Sequence, residues 1–135
     1  MKERYVLEAL QKGVTAATDL DVKYIGIIMK IPASGKWLEI VYIPNNIENE
    51  FWDDSKTYRG IMRLILHWPI DNAGVYPALD KAKTISDYFT KGLLLSDPFN
   101  NVRVQITERA NISDVLEQPP EILIPITLRY NYFSA

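Results

Sequence analysis

Apolar and polar residues alternate through Tyr58-Arg59-Gly60-Ile61-Met62-Arg63-Leu64-Ile65-Leu66-His67-Trp68. Tyr58, Gly60, Met62, Leu64, Leu66 and Trp68 share one face; Arg59, Ile61, Arg63, Ile65 and His67 share the other. A period of two marks a strand with one buried face. A polar turn follows through Asp71-Asn72-Ala73-Gly74. The period then becomes helical from Tyr76 to Lys91, with Leu79, Ala82, Ile85 and Phe89 as the apolar stripe. Pro77 suits a first helical turn, where its missing N–H has no intrahelical partner to lose. Gly92 suits the position just past the end. The helix is expected to lie on the strand's apolar face.

The flanking segments read less sharply. Leu7, Leu10, Val14 and Ala17 predict a helix over residues 2–17, weakened in its second half by Gly13. Val22 to Ile31 is an apolar candidate strand, and Pro32-Ala33-Ser34-Gly35 a turn. Lys36 to Ile43 reads as a strand with Leu38, Ile40 and Tyr42 on one side. Pro44 to Thr57 reads as a polar loop. Val102, Val104 and Ile106 alternate with Arg103, Gln105 and Thr107, giving another strand, and Glu108 to Pro120 reads as a long loop. A last strand runs from Ile122 to about Tyr132, with Ile122, Ile124, Ile126, Leu128 and Tyr130 on one face. Pro125 cannot donate to a ladder, so that strand is expected at an edge, or with the proline nitrogen turned from its partner. The expected class is α+β: a two-layer sandwich, mainly an antiparallel sheet of four to five strands with two helices packed on one face. At 135 residues the chain suits a single domain, 1–135.

Composition narrows the function classes. Hydrophobic residues make up 47% and charged residues 24%, as in ordinary soluble chains. A net charge of −2 argues against a protein whose main task is gripping phosphate backbones. Without cysteine, disulfides and thiolate metal sites are impossible. The start, Met1-Lys2-Glu3-Arg4, is not an apolar signal segment, and no apolar run reaches membrane-spanning length. Synthesis and folding in a cytoplasm are expected.

Little in the chain suggests a reaction. His67 is the one imidazole, and no Ser or Asp stands near it at a recognisable catalytic spacing; a surface or interface role is expected. Ser34-Gly35-Lys36 lacks the earlier Gly and the following Ser or Thr of a phosphate loop, so a tight turn is expected. Glu48, Glu50, Asp53 and Asp54 lack the Gly of a calcium loop and are interrupted by Phe51-Trp52. No catalytic residue, cofactor or metal site is assigned. Phe51 and Trp52 either patch the domain's own core or anchor a neighbouring subunit, since Trp concentrates at interface hot spots. Arg59, Arg63, Arg103 and Arg129 project from polar strand faces. Glu39 is expected to pair with Arg63, either on a solvated face or against another copy. Ile61, Ile65 and Val41 make that face too apolar for a simple wet surface.

Several segments together resemble the tail-terminator-like proteins of long-tailed, siphovirus-type phages and prophages. They are Trp37-Leu38-Glu39-Ile40-Val41-Tyr42-Ile43-Pro44-Asn45, Tyr58-Arg59-Gly60, Phe89-Thr90-Lys91-Gly92, Val102-Arg103-Val104-Gln105-Ile106 and Ile124-Pro125-Ile126-Thr127. Their order and spacing match over roughly residues 36–130, and the specificity lies in that succession. The resemblance implies a structural, non-enzymatic virion protein without a cofactor, assembled in the host cytoplasm. Copies would form a ring, six being the expected number, on the tail tube. The ring would end tube polymerisation and present the surface for head-tail joining. The implied partners are the tail tube protein, a head-side connector or completion protein and the tape-measure protein, with DNA passing through without tight binding. Phe51, Trp52, Asp53, Asp54, Arg59, Ile61, Arg63 and Glu39 are the expected subunit or partner contacts. Two alternatives stand beside this: another minor tail or head-tail joining protein, and a small ligand-binding module or enzyme.

Overall fold

The computed structural model describes residues 2–43, 47–48, 57–72, 74–97 and 102–133, with side chains for 5–41, 60–72, 74–95 and 103–132. In chain order the elements are α1 (Lys2–Ala17), β1 (Asp21–Lys23), β2 (Trp37–Ile43), β3 (Ile47–Glu48), β4 (Thr57–Pro69), α2 (Tyr76–Tyr88), β5 (Leu94–Asp97), β6 (Val102–Ile112), β7 (Leu116–Gln118) and β8 (Glu121–Phe133).

The class is α+β, as expected, but the sheet is larger than four to five strands. Six strands run in the order β1-β2-β4-β8-β6-β5, with β3 beside β4 and β7 beside β8. It is also mixed, since β1 runs parallel to β2 while the other neighbours are antiparallel. A parallel neighbour needs a long return connection, and residues 24–36 supply it. Of the expected 22–31 strand only Val22 and Lys23 pair, in a strand that begins at Asp21; Tyr24 onward leaves the sheet. The short strands carry too few residues for an alternation to be read.

The long strands meet the core through the face their alternation marks. Leu38 and Ile40 of β2, Met62 to Trp68 of β4, Ile122 to Tyr132 of β8, and Val104 and Ile106 of β6 bury every second side chain. Val6, Ala9, Leu10 and Val14 of α1 and Ala78, Ala82, Ile85 and Phe89 of the α2 region close the same core. α1 is unbroken through Gly13. A Cβ there would lie 3.0 Å from Leu95 Cδ2 of β5, so the glycine permits close helix–strand approach. Two residues on, Thr15 Oγ1 bonds Tyr24 Oη at 2.6 Å. Thus α1 touches segments from both ends of the strand order, around which the sheet curls.

Of the two placements expected for Pro125, the second holds: its strand is not an edge, since β8 lies between β4 and β6. Ser113 N donates to Pro125 O at 2.9 Å. In an extended strand a residue's C=O and N point to the same side, so the proline nitrogen faces residues 113–115 and not β4. The missing donor falls between the end of β6 pairing at Ile126 and the start of β7 pairing at Leu123. The long loop expected over 108–120 is largely strand, β6 running to Ile112 with β7 following. Its pairing with β8 shifts register between Ile106 and Glu108 and again between Glu108 and Asn111, which breaks the alternation a reader would need.

Those shifts also meet the end of α2. Ser86 Oγ donates to Ala110 O at 2.8 Å, and Ala110 N donates to Phe89 O at 3.1 Å. The helix stops at Tyr88, short of the expected Lys91, because the strand takes over the terminal carbonyl. Gly92, with φ +91°, shapes the following turn into β5 instead of capping the helix.

Candidate functional site

On the sheet face opposite the helices, β2, β4 and β8 form a grid. Trp37, His67 and Leu123 lie in one row; Glu39, Ile65 and Pro125 in the next; Val41, Arg63 and Thr127 in a third; Ile61 sits beside Arg129. This follows from period-two alternation: a strand whose even positions enter the core must display its odd ones.

His67 is the most enclosed polar group of this face, 7% exposed. Its ring stacks on the Trp37 indole with centroids 3.7 Å apart and planes 4° from parallel. Nε2 lies 3.0 Å from Glu39 Oε1, and Nδ1 lies 3.1 Å from Glu121 Oε2. An imidazolium donates to both carboxylates; a neutral ring donates to one. Both ring nitrogens are therefore engaged and one ring face is covered. A general acid or base needs a nitrogen turned toward a substrate, and this ring presents none. The arrangement fastens β2 and β8 to β4. The expected Glu39–Arg63 pair is not formed: Glu39 lies opposite Ile65, with His67 and Arg63 equally diagonal to it, and its carboxylate lies on His67 while Arg63 is exposed. Sequence reasoning missed Glu121 and the partnership of Glu39 with His67. The signal was the β2–β4 register, which sets Trp37 opposite His67 and which the sequence does not declare.

The remaining expected contacts divide. Ile61 and Arg63 share the outer face with Ile65 and Val41, so those four are brought together. Phe51, Trp52, Asp53 and Asp54 lie outside the described residues, as does the side chain of Arg59. Arg129 lies 3.8 Å from Glu108, and Arg103 is exposed on β6. A cleft of about 350 Å³ opens between Ile61, Arg129, Asn131 and Glu108, beside the first register shift of β6. Gly35, with φ +71° and its N–H donating to Pro32 O at 2.9 Å, forms the tight turn expected in place of a phosphate loop. Among the described residues no cluster of three His, Asp or Glu side chains could hold a metal ion.

The outer face thus offers isoleucine, valine and arginine side chains around a closed histidine clip. That composition suits contact with protein better than chemistry on a small molecule. A solved structure resembles the chain with a TM-score of 0.79 at 21% identity, covering 98% of this chain and 96% of that one, and so shows the same fold. No curated protein matches. The family model described as "Phage tail terminator protein" matches residues 4–130; the chain belongs to the phage tail terminator protein family.

Proposed function

We propose that this protein is the tail terminator of a long-tailed phage, acting by surface matching and not by catalysis. Copies close into a ring, six by the family resemblance, on the head-proximal end of the tail tube. One ring face accepts the last tube ring; the other refuses a further one and receives the head-side connector. The observation that carries this reading is the family match across residues 4–130. The outer face supports it: Ile61, Ile65 and Val41 set among Arg63 and Arg129 combine apolar area with charge, as interfaces do.

A closed ring needs two different patches per copy and a rotation that returns to its start. The tape-measure protein is the expected neighbour inside the tube. DNA passes through the ring, and a chain of net charge −2 has little to hold it with. Removing the gene from the phage and imaging the lysate tests the proposal. The expected result is overlong tubes without heads, restored to uniform joined tails when the protein is supplied. Tails of normal length that fail to join heads would instead make it a joining protein, and normal virions would overturn both.

A further inference from the structure

We propose that the Ile25–Ile31 segment and the adjoining side of α1 form a socket for the acidic aromatic segment Glu48–Asp54 of a second copy of this chain. The inference rests on the ring reading and names the two patches that meet.

The socket is visible as misplaced apolar surface. Ile25, Ile27, Ile28 and Ile31 are all exposed, Ile28 at 98%. Single exposed isoleucines are ordinary; four within seven residues mark a contact surface. Ile25 and Ile27 line an open groove of about 420 Å³ in which they and Tyr24 face Gln11, Lys12 and Thr15 of α1; Ile28 and Ile31 follow on the same segment. The Thr15–Tyr24 hydrogen bond ties the two walls together.

Charge selects the occupant. From Val22 to Leu38 the chain carries Lys23, Lys30 and Lys36 and no carboxylate. Lys12 adds a further cation on the groove wall, against one acid there, Glu8. From Ile40 to Ser55 the sequence is the opposite: Glu48, Glu50, Asp53 and Asp54 with no base. Between those carboxylates stand Phe51 and Trp52, large anchors of the kind that fill apolar grooves at hot spots. Each segment thus combines the charge and the apolar groups that complement the other.

Geometry places the two partners on different copies. Lys23 lies level with Glu39, and Glu39 with Ile65 of β4; Glu48 is level with Thr57 at the start of that strand. Eight strand residues separate these levels, roughly 27 Å at ~3.4 Å per residue. Residues 49–56 begin and end at the Glu48–Thr57 pair, so by chain length they reach at most about 14 Å out and back. Ile25 is two residues from Lys23 and closes only about 7 Å of the gap at the same rise. Ile27 N then donates to Tyr24 O in a turn that reverses the chain, and Gly35 lies against Pro69 at the far end of β4, so Ile28 and Ile31 lead away from the Glu48–Thr57 level. A subunit does not fill its own socket. Complementary patches at opposite ends of one subunit give head-to-tail assembly, which closes when the rotation fits.

The chain has no cysteine, so introduced thiols report contacts cleanly. Ile28→Cys and Trp52→Cys chains are purified, mixed, oxidised and resolved without reductant, with mass measured on the same samples. Glu50→Cys serves as a second probe should Trp52→Cys not fold. The expected result is a cross-linked dimer in the mixture and none in either variant alone. The double variant should give a ladder of linked copies, and Ile28→Asp should raise the concentration needed for half-assembly at least tenfold. A dimer from Ile28→Cys alone would mean a two-fold contact and overturn the proposal. So would an internal link within single chains of the double variant, or a wild-type chain monomeric up to its solubility limit. Rings of the right mass without the cross-link would overturn the socket and leave the ring reading standing. Whether the tail needs the protein at all is decided separately by the gene removal.

Discussion

Replacing His67 by Ala removes a ring shared by two carboxylates and an indole. Glu39 and Glu121 then face each other across β4, and Trp37 loses its stacking partner. Hydrogen bonds to charged groups are worth up to ~3 kcal/mol when enclosed; with both carboxylates partly open to water the expected cost is about 1–2 kcal/mol. Urea unfolding measures it, and a loss under about 0.5 kcal/mol, the range of neutral surface changes, would show that the clip is idle. Gly60 is the other residue where geometry decides. A Cβ there would sit 2.3 Å from Tyr130 Cζ and Oη, directly across on β8. The Tyr130 ring would have to shift from its buried position, so Gly60→Ala should cost about 1–3 kcal/mol by overpacking. An unchanged denaturation midpoint would contradict that. Neither feature was legible in the sequence. Alternation put His67 and Glu39 on outward faces and Gly60 on an inward one, but only the register says which residue lies opposite which.

At the scale of elements, the β4–α2 unit and β8 hold the core. Leu66→Ala and Phe89→Ala each remove a fully buried side chain and should lower stability by about 2–5 kcal/mol; a loss below about 1 kcal/mol in either would move the stability centre elsewhere. α1, β2, β4, the start of β6 and β8 were legible, because each carries a clean period over six or more residues. β5 and β7 were not, being too short to show one. The second half of β6 was hidden by register shifts that leave Glu108 exposed where the alternation of Val104 and Ile106 would bury it. A loose tie also joins α2 to the chain after α1: the Lys81 ammonium bonds Asp19 and holds its carboxyl below the usual carboxylate range. A carboxyl lowered on folding stabilises above its unfolded pKa, and that gain is lost as pH falls through the folded value. Because Asp19 is exposed, the effect on stability is small. The titration itself is the readout: NMR should place the Asp19 carboxyl low, and Lys81→Ala should raise it, the backbone hydrogen bond at Asp19 being left in place. No change on that substitution would remove the tie.

For the whole molecule, the family was legible from the succession of motifs, and the matched span, residues 4–130, also takes in α1. The resemblance to a head-to-tail ring was not legible from any one residue. It rests on the outer face and the isoleucine segment, which the sheet brings into one frame, together with the charge and aromatic content of residues 48–54 in the sequence. The same view governs DNA. With net charge −2, the purified protein should show no appreciable duplex binding at physiological salt. Tight binding that falls steeply with salt and disappears in Arg59→Ala/Arg63→Ala would make the outer face a DNA contact. The central claim is that copies of this chain close the upper end of the tail. Imaging purified tails, with the protein located by mass or by labelling, tests it directly. The account predicts a single closed ring of this chain at the head-proximal end of the tube. One copy per tail, a two-fold dimer, or a position along the tube or at its far tip would contradict it.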